Sequence, residues 1–340
     1  MKLLIYLQIF LLFIFIQACT PKNPESKQKN EDEQIIQGEA QGTTYTVKYI
    51  AEHDSTLKRQ VEALLKEIDL SLSTYIPNST ISQLNQGDSI QVDRFFEEIF
   101  IRSKELSKLT KGAFDPTIAP LIEAWGFDYS KPEQMDTAVV EAHLSHCGFH
   151  LFELKNFWLI KKDPKAKLNF NAIAQGYTVD LMAELLEYNG INRYFIELGG
   201  EVIVKGKNKN SVFWRVGIDR PSGTNLERQL SAVLSLENKA VVTSGNYRKF
   251  VEINGVRYNH TINPKTGFPV RHALLSATVV AENSATADAL ATAFMVMGVE
   301  KSKSFLKDHP EYDAILIFSG REEPLETYIT AGIREKVEEI

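Results

Sequence analysis

The stretch Ser276–Gly298, SATVVAENSATADALATAFMVMG, decides much of the fold because it joins two kinds of secondary structure in one short run. Its first residues, Ser276–Ala281, form an alternating apolar run that predicts a buried strand. The next three, Glu282–Ser284, have the chemistry of a turn and a helix N-cap. The residues up to Met297 are mostly helix formers. We therefore predict a strand, a turn and a helix, with the rest of the chain organised around them.

Asp288 and Thr292 lie four residues apart on this predicted helix. Their side chains therefore share one face, with Cβ atoms roughly 5–6 Å apart, and the alanines around them leave room for a ligand. A carboxylate and a hydroxyl are hard oxygen donors that suit Mg²⁺, which completes its shell with water and substrate phosphates. A purely structural interpretation is also open, in which the helix dipole stabilises Asp288 in the N-terminal half of the helix and Thr292 bonds to its own helix.

The N-terminus differs in composition from the rest of the chain. Lys2 precedes an almost unbroken apolar run, Leu3–Ile16, which is short for a membrane span and typical of a signal peptide. The run ends in Ala18-Cys19, and a small residue before a cysteine resembles a bacterial lipobox. The sequence thus predicts a lipoprotein signal peptide over residues 1–18.

The lipobox resemblance implies cleavage before Cys19 and lipidation of its thiol, although cleavage elsewhere or an uncleaved anchor would also fit the apolar run. Residues 19–36 are polar and charged and predict a flexible tether, which places the folded body over 37–340. Such a protein would lie in the cell envelope, lipid-anchored and facing the periplasm, most simply at the inner membrane.

Composition excludes several classes of protein. The chain has 340 residues, 44% of them apolar and 24% charged, which is typical of a globular protein with an ample core. A net charge of −6 without a basic stripe argues against nucleic acid as a partner. Cys147 is the only other cysteine, so with Cys19 lipidated we expect no intrachain disulfide.

The order of predicted elements favours an α+β fold over a doubly wound parallel sheet. Helical periods occur over Leu57–Leu72, Phe95–Leu109 and Ala172–Tyr188, whereas strands dominate after Gly190. A brief strand is also predicted at Leu168–Phe170. We expect one catalytic body with mixed, largely antiparallel sheets flanked by helices.

Polar, mostly glycine-containing segments recur where predicted strands and helices end, and binding residues concentrate in such loops. Each segment alone is a plausible turn. They are Gln41–Tyr45, Ser73–Ser79, Gly112–Pro116, Asn169–Tyr177, Glu197–Gly200, Thr243–Tyr247 and His260–Gly267.

In this order the segments resemble the ApbE family of FAD:protein FMN transferases, from about Gly38 to Gly298. The family's Gly-Ala-Phe-Asp-Pro-Thr, Ala-Ile-Ala-x-Gly-Tyr-x-Val-Asp, Thr-Ser-Gly-x-Tyr, His-x-Ile-x-Pro-x-Thr-Gly and Ala-Asp-Ala-Leu-Ala-Thr motifs are all present. The resemblance implies a Mg²⁺-dependent enzyme that cleaves FAD. It would attach FMN through a phosphoester bond to a Thr or Ser hydroxyl of an acceptor protein and release AMP.

The resemblance also implies roles for individual residues. Asp288, Thr292 and the backbone carbonyl of Ala172 would bind the metal, and Asp288 would thereby act in catalysis. His260 would accept the proton of the acceptor hydroxyl, although it would also suit a structural role in its turn. Contacts with FAD are expected from Gln41, Tyr75, Ala113, Phe114, Asp115, Asn169, Gln175 and Ile262.

Three positions depart from the family pattern. Gln41 stands where the family commonly has Met, and Asn169 and Asn263 stand where many members carry Asp. The two asparagines remove negative charge, although an amide can still donate and accept hydrogen bonds. We expect these departures to affect FAD affinity or the pH optimum and to leave the metal pair intact.

Two other functions would use the same pocket. One is an FAD-binding or storage lipoprotein, and the other is an FAD pyrophosphatase that produces FMN and AMP. An intact Asp288/Thr292 pair favours chemistry over storage. The chain has no acceptor-like segment outside the predicted metal helix, so the acceptor is expected to be a separate protein. We expect a subunit of a membrane redox complex, of the sodium-pumping NADH:quinone oxidoreductase or Rnf type.

Overall fold

A computed structural model describes residues 32–128, 131–221, 229–245, 250–253, 256–320 and 324–340. The predicted signal peptide and Cys19 lie outside these ranges, as does most of the predicted tether. The part of the tether from 32 to 36 is a strand, because β1 (Asp32–Ala40) pairs along its whole length with β2 (Thr43–Ala51) and buries Ile36 in the core. The folded body therefore includes residues 32–36, which lie before the predicted boundary at 37.

Eight α-helices lie within the described ranges. They are α1 (Leu57–Leu72), α2 (Thr80–Gln86), α3 (Arg94–Leu109), α4 (Ala119–Ala124), α5 (Thr137–Leu144), α6 (Ala174–Tyr188), α7 (Ser284–Met297) and α8 (Val299–Asp308). None of the described helices is both long and apolar enough to cross a membrane.

The remaining strands follow β1 and β2 in chain order. They are β3 (Ser89–Gln91), β4 (Phe152–Lys155), β5 (Trp158–Lys161), β6 (Tyr194–Leu198), β7 (Glu201–Lys205), β8 (Trp214–Asp219), β9 (Leu230–Leu236), β10 (Lys239–Gly245), β11 (Phe250–Ile253), β12 (Val256–Asn259), β13 (Leu274–Ala281), β14 (Asp313–Phe318), β15 (Glu326–Ile329) and β16 (Val337–Glu339).

The main sheet has eight strands in the order β1-β2-β6-β7-β10-β13-β14-β15. Smaller sheets are β16-β9-β8, β3-β5-β4 and the β11-β12 hairpin. All ladders between these described strands are antiparallel. The predicted α+β class with largely antiparallel sheets is therefore confirmed.

The predicted strand–turn–helix unit lies at the centre of this architecture. β13 is paired along both edges, with β10 and with β14. Nearly all of its side chains are also buried, because α7 packs on one face and the β16-β9-β8 sheet packs near Val280 on the other. α7 follows it and packs against β13, β10 and α6. Ten of the fourteen α7 side chains are buried, which explains why this helix is rich in alanine and has little polar surface.

Besides β1, the elements that differ from the sequence predictions include β10, α2 and the segment Leu168–Phe170. β10 was not predicted, because its apolar run is only Ala240–Val242 and its polar end looks like a loop. That end is held in the sheet by β13, including a 2.8 Å hydrogen bond between the hydroxyls of Thr243 and Thr278. α2 was also not predicted. The strand predicted at Leu168–Phe170 is wrong, since this segment has only an isolated bridge beside it, Lys167 to Ile118.

Candidate active site

Asp288 is the centre of the site. It lies in the second turn of α7 and is 6% exposed. Its Oδ2 accepts a hydrogen bond of 3.2 Å from the backbone N–H of Gly176, near the start of α6. A buried carboxylate needs a partner to offset the loss of hydration, and this single amide is a weak one. The structure therefore holds a desolvated carboxylate against the beginning of a neighbouring helix.

Close packing of α6 on α7 depends on Gly176. A Cβ added at this position would lie 2.5 Å from the Ser284 carbonyl oxygen and 2.8 Å from the Asp288 Cβ. Both distances are shorter than real Cβ contacts, so a larger residue would push the two helices apart. The glycine of the Ala-Ile-Ala-x-Gly-Tyr motif is thus explained by the approach of α7.

The hydrogen bond from Gly176 to Asp288 also makes the Ala172 carbonyl available for a ligand. In a regular helical continuation the Gly176 N–H would bond to the oxygen four residues earlier, which is that of Ala172. Here this N–H donates to Asp288 instead. Within the described part of the chain the Ala172 oxygen accepts no hydrogen bond, whereas the Ile173 oxygen accepts from Tyr177 at 2.9 Å. An unpartnered carbonyl therefore stands close to a buried carboxylate.

Thr292 lies one turn beyond Asp288 and is half-buried. Among the described residues its hydroxyl has no hydrogen-bond partner. Thr178 shows the contrasting behaviour, since its hydroxyl bonds back to the Ala174 oxygen of its own helix at 2.7 Å. The purely structural interpretation of Thr292, in which it bonds to its own helix, is therefore not what the structure shows.

The electrostatics of Asp288 fit a cation. Burial raises the pKa of its carboxyl well above the usual range, the Gly176 N–H opposes this increase, and the neighbouring Asp180 carboxylate adds to it. A carboxylate, a hydroxyl and a free carbonyl are the oxygen donors that Mg²⁺ prefers. No cluster of three or more acidic, His or Cys side chains that could bind a metal occurs among the described residues. A magnesium ion here would therefore rely on water and on substrate oxygens for the rest of its shell.

A cleft of about 240 Å³ holds two of the residues predicted to contact FAD. Tyr75 is 62% exposed, and its hydroxyl accepts a hydrogen bond of 3.3 Å from the Asn171 side chain. Asn169 is 9% exposed, and its Oδ1 accepts from the Asn171 N–H at 2.9 Å. An exposed aromatic ring beside amide groups is suited to stacking and hydrogen bonding with a flavin or an adenine.

The turn over Gly112–Pro116 is mostly internal. The Phe114 ring is fully buried in the core, so this residue can meet a ligand only through its backbone, and Ala113 is also buried. Asp115 accepts hydrogen bonds from the N–H and the hydroxyl of Thr117, at 2.9 and 2.6 Å. Burial raises the pKa of Asp115, against the effect of these two bonds.

Two glutamines predicted to contact FAD lie near the N-terminal part of α6. Gln41 has a positive φ of 52° in the β1–β2 turn, and its amide donates to the Thr178 hydroxyl at 2.9 Å. Gln175 is half-buried, with its Nε2 within 3.0 Å of the position that a Cβ on Gly199 would occupy. The β1–β2 turn, the Gly199-Gly200 turn and α6 are therefore neighbours.

The segment Thr261–Val270 is a compact loop that presents His260 at its start. Ile262 is 3% exposed and packs with Trp125, whose indole N–H donates to the Gly267 oxygen at 2.9 Å. The ring of His260 is exposed. The loop also approaches the Gly112 turn, because a Cβ on Gly112 would lie 3.9 Å from Lys265. Ile262, like Phe114, contributes its side chain to the core.

Several residues that shape the site were not singled out from the sequence. Asp180 binds the start of α7 and is paired with Arg102. Asn85 and Lys167 line the cleft; the Asn85 amide bonds to both the N–H and the oxygen of Leu168, and Lys167 forms an ion pair with Glu123. Asp180 ends a motif quoted above, which is a usable signal. The other residues are far apart in sequence and carry no local signal.

Comparisons with known proteins agree with this geometry. The model of the ApbE family matches residues 41–316. An FAD:protein FMN transferase of Haemophilus influenzae is 36% identical over 282 residues, covering 78% of this chain and 81% of the relative. That of Escherichia coli K12 is 30% identical over 307 residues, covering 86% and 87%.

Solved structures give the same result. The flavin transferase ApbE from Vibrio cholerae superposes with a TM-score of 0.80 at 30% identity, covering 90% of this chain and 99% of that one. The apo form of a Pseudomonas stutzeri flavinyl transferase ApbE also has a TM-score of 0.80 at 30% identity, covering 90% and 97%.

Fold and site together place the protein among α+β enzymes with a single catalytic body. More specifically, the chain belongs to the ApbE family. Membership accounts for the order of the motifs and for the contact between α6 and α7, to which two of those motifs contribute.

Proposed function

We propose that this protein is an FAD:protein FMN transferase that joins FMN to a Thr or Ser hydroxyl of an acceptor protein and releases AMP. The observation that carries the proposal is the contact between Gly176 and Asp288, which leaves the Ala172 carbonyl without a partner among the described residues and beside a buried carboxylate. The names of the relatives support the flavin chemistry. A buried carboxylate with free oxygen donors is costly for folding alone and useful for holding a cation against a pyrophosphate.

The reaction exchanges the phosphoanhydride bond of FAD for a phosphoester bond to the acceptor. The acceptor oxygen forms a bond to the phosphorus of the FMN half of FAD. The bond between that phosphorus and the bridging oxygen breaks, and the bridging oxygen leaves with AMP. The proton of the acceptor hydroxyl passes to a base on the enzyme.

Asp288, Thr292 and the Ala172 carbonyl would hold Mg²⁺. When bound, the ion would withdraw charge from the pyrophosphate oxygens and make AMP a better leaving group. The protein prepares this site by keeping Asp288 desolvated and fixed to α6, so little reorganisation is needed when the charges meet.

His260 is the proposed base. Imidazole is the usual side chain for accepting the proton of a weakly acidic hydroxyl near neutral pH. Its ring is exposed at the start of the Thr261–Val270 loop, where a separate protein can reach it. Trp125 and Ile262 hold this loop against the body, through a hydrogen bond from Trp125 to the Gly267 oxygen and through apolar packing.

The proposal includes a location and a partner. The lipobox-like Ala18-Cys19 supports a lipid-anchored protein of the cell envelope facing the periplasm, most simply at the inner membrane. The acceptor would then be a membrane redox subunit of the sodium-pumping NADH:quinone oxidoreductase or Rnf type. Cys19 lies outside the described residues, so this part is supported by sequence alone.

The deciding experiment mixes the protein with FAD, Mg²⁺ and an acceptor domain and detects flavin fluorescence on a denaturing gel. A fluorescent acceptor supports transfer. Free FMN and AMP without a labelled protein would support the pyrophosphatase, and unchanged bound FAD would support storage.

Asp288→Ala should abolish transfer in this assay, because it removes the only charged donor of the proposed metal site. A matched control is Asp54→Ala, which removes a carboxylate bonded to Thr56 before α1. The control should keep transfer activity. Full activity of Asp288→Ala, or activity that chelators do not lower, would refute the metal site.

A further inference from the structure

Asp180 is bonded to the first turn of α7 although it lies on α6. Its Oδ1 accepts from the Ser284 N–H at 2.6 Å, and its Oδ2 accepts from the Ala285 N–H at 3.0 Å. The first amides of a helix have no partner inside the helix and are usually satisfied by a local cap. α7 has such a local cap at its third amide, where the Asn283 side chain accepts from Thr286 at 3.0 Å. The first two amides of α7, those of Ser284 and Ala285, donate to Asp180 instead.

The carboxylate of Asp180 is itself held in place. Arg102 of α3 donates to its Oδ2 at 3.2 Å, and the Asp180 side chain is 9% exposed. The Arg102 guanidinium also lies 6.0 Å from the centre of the Tyr177 ring, whose hydroxyl donates to Glu98 at 2.8 Å. Three helices, α3, α6 and α7, therefore meet at one carboxylate.

The position of Asp288 depends on this junction. α6 touches α7 at two polar points: Asp180 binds the first turn of α7, and Gly176 binds Asp288 in the following turn. Two such points fix both the distance and the rotation of α7 relative to α6. Loss of the first would loosen the N-terminal end of α7 against α6 and shift Asp288 from the Gly176 N–H and the Ala172 carbonyl, while the rest of α7 stays packed on the main sheet.

We propose that Asp180, oriented by Arg102, is a positioning residue that sets the geometry of the metal-binding face of α7. Asp180 is not one of the proposed metal ligands; it acts through its hydrogen bonds to the backbone of Ser284 and Ala285. The proposal rests on the proposed function only in that Asp288 and Thr292 are the metal ligands. Substitution of a residue that orients a metal ligand typically lowers metal affinity 10- to 100-fold.

The test uses Asp180→Asn in the full protein. An amide of the same shape has one oxygen instead of two, so one of the two α7 amides would face an NH₂ group. We expect Mn²⁺, measured by electron paramagnetic resonance, to bind about 10- to 100-fold more weakly than to the wild type. We also expect transfer to need a correspondingly higher Mg²⁺ concentration, with much of the maximal rate recovered at saturating Mg²⁺.

Asp93→Asn is the matched control. Asp93 caps α3, where its Oδ1 accepts from Phe96 at 2.9 Å, so the variant also loses the charge of a capping aspartate. A purely structural role would make the two variants alike, with lower melting temperatures and unchanged Mn²⁺ affinity. A folded Asp180→Asn protein with Mn²⁺ affinity within about twofold of the wild type would overturn the proposal.

Arg102→Gln provides a second variant should Asp180→Asn fail to fold. Its side chain is 29% exposed, so the change leaves no deeply buried gap. We expect weaker Mn²⁺ binding in the same direction as for Asp180→Asn and smaller in size, and wild-type affinity would count against the proposal. If the wild type itself bound no Mn²⁺, the proposed metal site would fail, which separates that failure from failure of this inference.

Discussion

The contact between α6 and α7 makes Gly176→Ala the sharpest test of the site. The new Cβ would lie 2.5 Å from the Ser284 carbonyl oxygen, about 0.9 Å short of the 3.4 Å at which ordinary contact begins. The atoms that it meets are backbone and the Cβ of Asp288, so no flexible side chain can turn away. α7 is buried against β13 and β10 and cannot move without disturbing the main sheet.

The expected cost has two parts. Overpacking of this kind destabilises a protein by about 1–3 kcal/mol, a loss that a domain of ordinary stability survives. The transfer rate should fall strongly, because a displacement near 1 Å of a group that positions the reacting atoms can lower the rate about 100-fold. The variant should therefore fold, with a modestly lower unfolding midpoint and a large loss of transfer rate.

The assay pairs urea unfolding with initial rates of acceptor flavinylation. Gly217→Ala is the control, since its Cβ would lie 2.8 Å from the end of the Leu230 side chain, which is 40% exposed and able to move. This variant should change stability by about 0.5 kcal/mol and keep its activity. If Gly176→Ala kept the wild-type rate and stability, the close approach of the two helices would not be what positions Asp288.

Three further outcomes are expected. His260→Ala should lower the transfer rate by about 10²- to 10⁴-fold while FAD affinity, followed by flavin fluorescence, changes little; an equal loss of both would make this residue structural. Trp125→Phe removes the buried N–H that donates to the Gly267 oxygen at 2.9 Å. This change should lower the free energy of unfolding in urea by about 1–3 kcal/mol, and an unchanged unfolding midpoint would contradict the expectation. Burial raises the pKa of the Cys147 thiol to about 12, from about 9 in the unfolded chain. The unfolded chain therefore loses this proton first, and the free energy of unfolding should fall between pH 9 and pH 12. In a Cys19→Ser protein at pH 8.5, DTNB should label the native thiol far more slowly than the denatured one, and fast native labelling would refute this assignment.

Local patterns in the sequence were enough to predict the longer helices closely, although the short helix α2 was not predicted. The apolar period over Leu57–Leu72 matches α1 to the residue, and the helix formers after Glu282 match α7 within one residue at its start. These signals are reliable because a helix repeats its buried face every three to four residues. The shared face of Asp288 and Thr292 follows from the same repeat.

Strand assignments depended more on tertiary context. β10 has a short apolar core and a polar end that is a strand only because β13 supplies partners for its backbone. Residues 32–36, the first part of β1, were assigned to the tether because the segment is polar, yet β2 pairs with all of β1. Pairing decided both cases, with the adjacent hairpin strand β2 for β1 and with the distant strand β13 for β10. The residue pattern of a strand does not by itself record that a partner is present.

The sequence by itself determined the spacing of Asp288 and Thr292, the order of the motifs and the family that they indicate, and from these it predicted which residues would carry the chemistry. Only the tertiary structure decided that the Ala172 carbonyl accepts no hydrogen bond from the described residues, because the Gly176 amide donates to a side chain 112 positions away. It also decided that Asp180 holds a helix beginning 104 positions later. Hydrogen bonds between distant segments form only when two packed helices bring their ends together, and no local period of side chains records which ends will meet.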